Sequence, residues 1–199
     1  MSRTRLRVVQ VTLVCPTIHR SALTSTAVRV IAGELRGRRI AAPKGTATRP
    51  TSDFVRETAF NLIGPVDGAT VIDLYAGSGA LGIEALSRGA ERALFVDSSR
   101  EACRSIGANL AALGLRATVL CQDAERALAQ ERGPYDLVVA DPPYDFAAYD
   151  RLAPHFARLL AEDGLAILQT PAKAEPALEG LNVRTSRRYG SARLTLFEL

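Results

Sequence analysis

Thr70-Val71-Ile72-Asp73-Leu74-Tyr75-Ala76-Gly77-Ser78-Gly79-Ala80-Leu81-Gly82 decides how the rest of the chain reads. Its first five residues form an apolar run of strand length, interrupted only by Asp73. Gly77 and Gly79 let the backbone turn tightly and approach a ligand with no Cβ in the way. A strand, a glycine-rich turn and a helix in that order open an α/β sheet. Such sheets bind ligands beyond the carboxyl ends of their strands, at the point where the strand order reverses.

Working outward from this stretch, the downstream pattern is regular. Apolar runs at Ala93–Val96, Thr118–Cys121, Leu137–Ala140 and Leu165–Gln169 alternate with helical stretches near 80–88, 98–113, 124–131 and 146–161. Alternation of this kind predicts right-handed crossovers and a doubly wound, mostly parallel sheet covered on both faces. Asn182–Arg188 and Arg193–Phe197, joined by Tyr189-Gly190-Ser191, read as an antiparallel hairpin that completes seven strands. Upstream, residues 28–45 alternate apolar and polar side chains around Gly33 and Gly37, predicting a short hairpin that carries Arg36, Arg38 and Arg39. Thr51, Ser52 and Asp53 are good helix caps. Val55, Ala59, Leu62 and Ile63 then recur at helical spacing up to Gly64. The expected organisation is a poorly structured segment 1–27, a basic hairpin and helix over 28–64, and an α/β domain over 65–199.

Charge separates these parts. Residues 1–63 carry 11 Lys and Arg against 3 acids, whereas residues 64–199 carry 14 against 18, giving +8 and −4 within the net +4. A basic front on an acidic body suits a polyanionic partner. Residues 1–27 hold four arginines and no acid. They read either as a transit peptide or as an over-extended start ahead of a domain beginning at Val28.

Composition bounds the remainder. With 47% hydrophobic and 23% charged residues the chain reads as soluble and globular. No apolar run reaches the roughly 18 residues that span a membrane, so a cytoplasmic protein is expected. Cys15, Cys103 and Cys121 are odd in number and form no CxxC pair, and His19 and His155 match no ligand spacing. Neither a disulfide framework nor a metal site is expected.

The acids at the strand ends point to a cofactor. Asp73 at the end of the first sheet strand can face an ammonium, such as that of a methionine moiety. Asp97, twenty residues past Gly77, suits two hydrogen bonds to a ribose. Asp123 after the third strand can accept from an adenine amino group while the amide of Ala124 faces a ring nitrogen. Tyr75 and Ser78 complete the candidate loop. Gly77-Ser78-Gly79-Ala80-Leu81-Gly82 also satisfies the dinucleotide pattern GxGxxG, but an anionic Asp73 would repel a pyrophosphate seated at the helix N-terminus. A sulfonium cofactor, S-adenosylmethionine, has no phosphate to repel.

Asp141-Pro142-Pro143-Tyr144 follows the strand at Leu137–Ala140 directly. Two prolines cannot continue a ladder, so the chain leaves the sheet as a stiff loop. The Asp141 carboxylate and the Pro142 carbonyl are a natural pair of acceptors for an exocyclic amino group whose lone pair must be turned toward a methyl donor. Tyr144 offers a face for an unstacked base.

With both motifs in place, the chain resembles class I methyltransferases that carry an (N/D)PP(Y/F) motif. Val30-Ile31-Ala32-Gly33-Glu34-Leu35-Arg36-Gly37-Arg38-Arg39-Ile40, Thr48-Arg49-Pro50-Thr51-Ser52-Asp53 and Val55-Arg56-Glu57-Thr58-Ala59-Phe60-Asn61 narrow this. Over residues 28–199 the chain resembles the bacterial 16S ribosomal RNA guanine-N2 methyltransferase family. The resemblance implies a Rossmann-like fold and N2 methylation of one guanine in small-subunit RNA, by a monomer acting within an assembling particle. It implies that Asp73, Gly77, Gly79, Asp97 and Asp123 line the cofactor site, and that Asp141, Pro142, Pro143 and Tyr144 hold the guanine. Arg36, Arg38, Arg39, Lys44, Arg49 and Arg56 would meet RNA, with Thr51 and Glu57 near the cofactor. DNA adenine or protein glutamine methylation remains a second reading, and a catalytically idle RNA-binding assembly factor a third.

Overall fold

The computed structural model describes residues 28–43, 53–146 and 148–199. Expectations for residues 1–27, including Cys15 and His19, and for Lys44, Arg49 and Thr51 lie outside the described residues. In chain order the elements are β1 (Val28–Arg29), β2 (Arg39–Ile40), α1 (Asp53–Ile63), β3 (Thr70–Leu74), α2 (Ala80–Ser87), β4 (Arg92–Asp97), α3 (Arg100–Leu113), β5 (Thr118–Cys121), α4 (Ala124–Gln130), β6 (Tyr135–Ala140), α5 (Ala153–Leu159), β7 (Leu160–Pro171), β8 (Asn182–Tyr189) and β9 (Ala192–Glu198).

Seven strands form one sheet in the order β5-β4-β3-β6-β7-β9-β8. The first five are parallel, and β9 runs antiparallel to both β7 and β8. From β3 the chain builds outward through β4 to β5, then crosses back to β6 on the other side of β3. The reversal between β3 and β6 is the switch point of this Rossmann-like class I methyltransferase fold.

Strand alternation distributes the side chains between two cores. Val71 faces a layer shared with Val55 and Phe60 of α1, Ile83 of α2 and Ile106 of α3. Ile72 and Leu74 face the opposite layer, with Leu128 of α4 and Phe156 of α5. Local chemistry marks the helix ends. The Ser99 hydroxyl caps α3 by accepting from the Ala102 amide at 3.3 Å, and Gly114 ends that helix at a φ of 73°.

The helical stretch expected over 146–161 is shorter. A single 3₁₀ turn covers Tyr149–Arg151, and α5 starts only at Ala153, with Pro154 in its first turn. Phe146 and Tyr149 are held instead in an edge-on aromatic cluster with Tyr75, with ring centroids 5.6 Å apart for Tyr75–Phe146 and 5.2 Å for Phe146–Tyr149. At the other end Leu160 is already extended and pairs with Tyr135.

The N-terminal hairpin shares the sheet's core: Val28, Val30 and Ile40 pack with Val71 and Ile83. Its turn docks on the last turn of α2. A Cβ on Gly33 would lie 1.7 Å from the Ser87 carbonyl oxygen, so only glycine fits there. The Ser87 hydroxyl accepts from the Leu35 amide at 2.9 Å and donates to the Ala32 carbonyl at 2.6 Å. The Glu84 carboxylate accepts from the amides of Ile31 and Ala32 at 2.8 and 2.9 Å.

Candidate active site at the carboxyl rim of the sheet

β3 and β6 are neighbours, with Leu74 opposite Ala140 in register. The two motifs that follow them, more than sixty residues apart in the chain, therefore leave the sheet side by side. The Asp141 amide leans toward the Leu74 carbonyl at 3.4 Å.

In the glycine-rich loop each glycine has its own reason. Gly79 caps α2 at a φ of 78°, a left-handed conformation that favours glycine. A Cβ on Gly82 would come within 2.4 Å of the Phe95 ring, so that glycine serves close packing of α2 against β4. Gly77, at a φ of 56°, has only the Tyr75 carbonyl near the place of a Cβ, at 3.9 Å, and leaves open space above the loop. Tyr75 itself has a φ of 57°, a left-handed conformation that costs a non-glycine residue about 1–3 kcal/mol.

Asp73 does not stand open at the rim. Its carboxyl is buried under α2, where Oδ2 accepts from the Gly82 amide at 2.8 Å and Oδ1 has no hydrogen-bond partner. Burial pushes its pKa well above the usual carboxylate range; the Gly82 bond opposes this and the negative charges of Asp141 and Asp97 add to it. An orphaned carboxyl oxygen is what a ligand ammonium would complement.

Asp97 ends β4, with Oδ2 accepting from the Gly77 amide and Oδ1 from the Ser99 amide, both at 2.8 Å. It thus holds the glycine loop in place, while each oxygen keeps a second lone pair for a ribose hydroxyl. Asp123 is exposed and caps α4 through the Arg126 amide at 3.2 Å. The Ala124 amide beside it belongs to the first turn, whose donors have no helical partner. Ser78 anchors the loop differently: its carbonyl accepts from Asn109 Nδ2 at 2.9 Å. This donor set fits an adenosyl group carrying an amino acid: an orphaned acid, an open glycine turn, a rim carboxylate and a free helix amide.

In the second loop, Pro142 is buried and Tyr144 is 52% exposed. The Pro143 carbonyl is taken by the Phe146 amide at 2.9 Å. Among the described residues the Pro142 carbonyl accepts no bond, so it is available as a backbone acceptor.

The arginines expected to meet RNA divide. Arg36, Arg38 and Arg39 are exposed on the hairpin; its turn, with Arg36 and Arg38, sits at the far end of α2 and α3, whereas Arg39 lies opposite Arg29, which pairs with Asp53 at the start of α1. Arg38 Nη2 also donates to the Ala112 carbonyl near the end of α3 at 3.0 Å. Arg56 is a correction, because its side chain is completely buried. It donates to the Arg29 carbonyl, pairs with Asp53 at 3.0 Å and lies 3.8 Å from Glu84. Burial lowers its pKa, with Glu84 and then Asp53 opposing that shift. It ties the hairpin to α1 and α2 and presents nothing to a ligand. Glu57 is exposed on α1.

Spacing alone did not bring Cys103 and Cys121 together. The Cys103 thiol donates to the Asp97 carbonyl at 3.3 Å and also meets the Cys121 thiol, and burial pushes it up to about 12. The strand register supplies the signal, since Cys121 lies opposite Asp97. Among the described residues no cluster of three metal-ligating side chains occurs, and no helix is long and apolar enough to cross a membrane.

Comparison with known proteins agrees with this geometry. Residues 28–198 match the family described as Conserved hypothetical protein 95. YlbH of Bacillus subtilis, provisionally described as an rRNA methyltransferase, is 40% identical over 181 residues, which are 85% of this chain and 98% of that protein. Ribosomal RNA small subunit methyltransferase D of Escherichia coli is 43% identical over 119 residues, 59% of this chain and 60% of that protein. The solved structure of yhhF from Escherichia coli, provisionally described as a methyltransferase, superposes with a TM-score of 0.77 at 32% identity, covering 86% of this chain and 97% of that one. With its switch-point site and this coverage, the chain belongs to the family of the ribosomal RNA small subunit methyltransferase D proteins.

Proposed function

We propose that the chain uses S-adenosylmethionine to methylate the exocyclic N2 of a guanine in small-subunit ribosomal RNA, acting as a monomer on an assembling particle. One observation carries the reading: the glycine-rich loop and Asp141–Tyr144 emerge from adjacent strands at one rim. When bound, the cofactor supplies an electrophilic methyl group on a sulfonium. Asp73 would face its ammonium, Asp97 its ribose hydroxyls, and Asp123 with the Ala124 amide its adenine, beside Tyr75, Gly77, Ser78 and Gly79.

The chain's own part is largely positional. An aniline-like amino nitrogen is a weak nucleophile because its lone pair is delocalised into the ring. The Asp141 carboxylate and the Pro142 carbonyl would accept from its two hydrogens and turn that lone pair outward. Tyr144, exposed at the loop tip, would stack on the base. The names of the family's relatives and the basic N-terminal segment favour RNA as acceptor.

The test is tritium transfer from labelled S-adenosylmethionine to undermethylated small subunits, naked 16S RNA, DNA and protein, followed by nucleoside mass spectrometry. Label in N2-methylguanosine is expected. Label in N6-methyladenine or in protein glutamine would overturn the substrate assignment. Cofactor binding with no transfer to any acceptor would point to an idle assembly factor. Asp141→Ala is expected to lower turnover by roughly a hundredfold or more while leaving cofactor affinity near wild type, the loss typical of one transition-state hydrogen-bond partner.

A further inference from the structure

Arg36 and Arg38 of the N-terminal hairpin lie at the far end of α2 and α3, so other side chains must hold RNA at the rim where Asp141–Tyr144 stands. Three side chains from α1 and β8 converge there. β7 runs parallel to β6, and Pro171 at its carboxyl end pairs with Ala192, placing the β8–β9 turn on the same rim. Phe54, in the first turn of α1, is 62% exposed. Its ring meets Tyr189 edge to face, with centroids 6.0 Å apart and planes at 72°. Arg187 lies two residues back along β8 on the same face, opposite Leu194, and is exposed. Among the described residues its guanidinium has no ion-pair or hydrogen-bond partner, whereas Arg184 pairs with Glu198, and Arg188 and Arg193 with Glu175.

A solitary exposed phenylalanine needs no explanation. This one is pinned by a second ring, borders a cation without a partner, and shares a rim with the exposed Tyr144. We propose that Phe54, Tyr189 and Arg187 form a second nucleotide-binding subsite, which takes a base of single-stranded RNA flanking the methylated one. Phe54 presents its open face for stacking, Tyr189 holds that ring in place, and Arg187 neutralises the adjoining phosphate. In the sheet β8 is three strand spacings from β6, about 14 Å, a span that a few nucleotides bridge. The subsite would set which unpaired region of the RNA enters, a task the four-residue Asp141–Tyr144 loop cannot perform alone. This rests on the RNA-methyltransferase reading above.

The experiment uses the full chain and a fluorescently labelled single-stranded RNA of small-subunit sequence, titrated over a range of salt. S-adenosylmethionine binding is followed in parallel by calorimetry. Phe54→Ala and Phe54→Leu are expected to weaken RNA binding about tenfold, the effect of one lost base stack, and Phe54→Trp to retain it. Arg187→Gln is expected to weaken binding and to reduce the slope of log affinity against log salt by about 0.7, one phosphate's worth for a single strand. Cofactor affinity stays at the wild-type value throughout. Wild-type RNA affinity in both Phe54→Leu and Arg187→Gln would overturn the subsite while leaving the RNA reading standing. Absence of RNA binding by the wild-type chain, with methyl transfer to protein instead, would overturn both. Arg187 stands on an exposed edge strand, so its variant remains informative even if a Phe54 variant folds poorly.

Discussion

At the scale of single residues, Asp73 has the most to reveal. Its folded pKa is raised above the unfolded value of about 3.9, so the stability it contributes is complete below that value and is lost as pH rises through the folded pKa. The ligand-free protein should therefore melt at lower temperature as pH is raised across that window, and Asp73→Asn should flatten the dependence, as read by thermal melts at stepped pH. An ammonium placed against Oδ1 would stabilise the charged form, so cofactor binding should release a proton in the wild type and none in the variant. Calorimetry in buffers of different ionisation enthalpy measures that difference. That position 73 holds an acid at a strand end is plain in the sequence. Its burial follows from alternation, because Val71 and Asp73 share a face and Val71 is core, but the missing partner at Oδ1 depends on where α2 lies, which no local pattern encodes. Gly82 is similar: its place in GxGxxG suggests a ligand, and its neighbour is the Phe95 ring. Gly82→Ala should destabilise the fold by forcing α2 away from β4, seen as a lowered denaturant midpoint with unchanged slope.

At the scale of elements, the hairpin, α1 and α2 meet at Glu84. Fully buried, this carboxylate takes the two hairpin amides, Arg88 Nε at 2.8 Å and the nearby Arg56. Glu84→Ala would leave the buried Arg56 with only the half-exposed Asp53 as counter-charge and take the acceptor from two hairpin amides, and breaking such a buried pair from one side typically costs about 3–5 kcal/mol. Chemical denaturation should register that loss, and limited proteolysis should cut first within residues 28–43. The strands and most helices were legible because two-residue and 3.6-residue apolar periods are strong in this chain. Placing Arg56 against RNA weighs its charge over its place: Arg56 and Phe60 are four residues apart on α1, so helical spacing puts the arginine on the apolar side. The helix expected from 146 begins later because tilted and edge-on ring contacts to Tyr75 compete with helical pairing, and no local periodicity reports a contact between residues so far apart in the chain.

At the scale of the whole molecule, the unequal distribution of charge was visible in the sequence, but its geometry was not. Arg36 and Arg38 stand at the far end of α2 and α3 while the end of β8 stands at the rim, so a bound RNA that touches both arginine groups must run along that face. Neutralising several phosphates in this way predicts a steep loss of RNA affinity with salt, a log–log slope of several units, while cofactor affinity barely changes. Titration at graded salt concentrations tests this, and a shallow slope would mean that the two arginine groups do not act on one strand.

The strand order has a further consequence, for the birth of the molecule. β9 is translated after β8 yet lies between β7 and β8, and six of its seven residues are buried. While residues 192–198 are still inside the ribosome's exit tunnel, β7 exposes an unpaired edge and β8 has nothing to pair with. Synthesis proceeds at about 5–20 residues per second, so this interval outlasts hydrophobic collapse by orders of magnitude. A nascent chain stopped at Ser191 should bind chaperones and aggregate on release, whereas one carrying a flexible extension past Leu199 should fold as the full chain does.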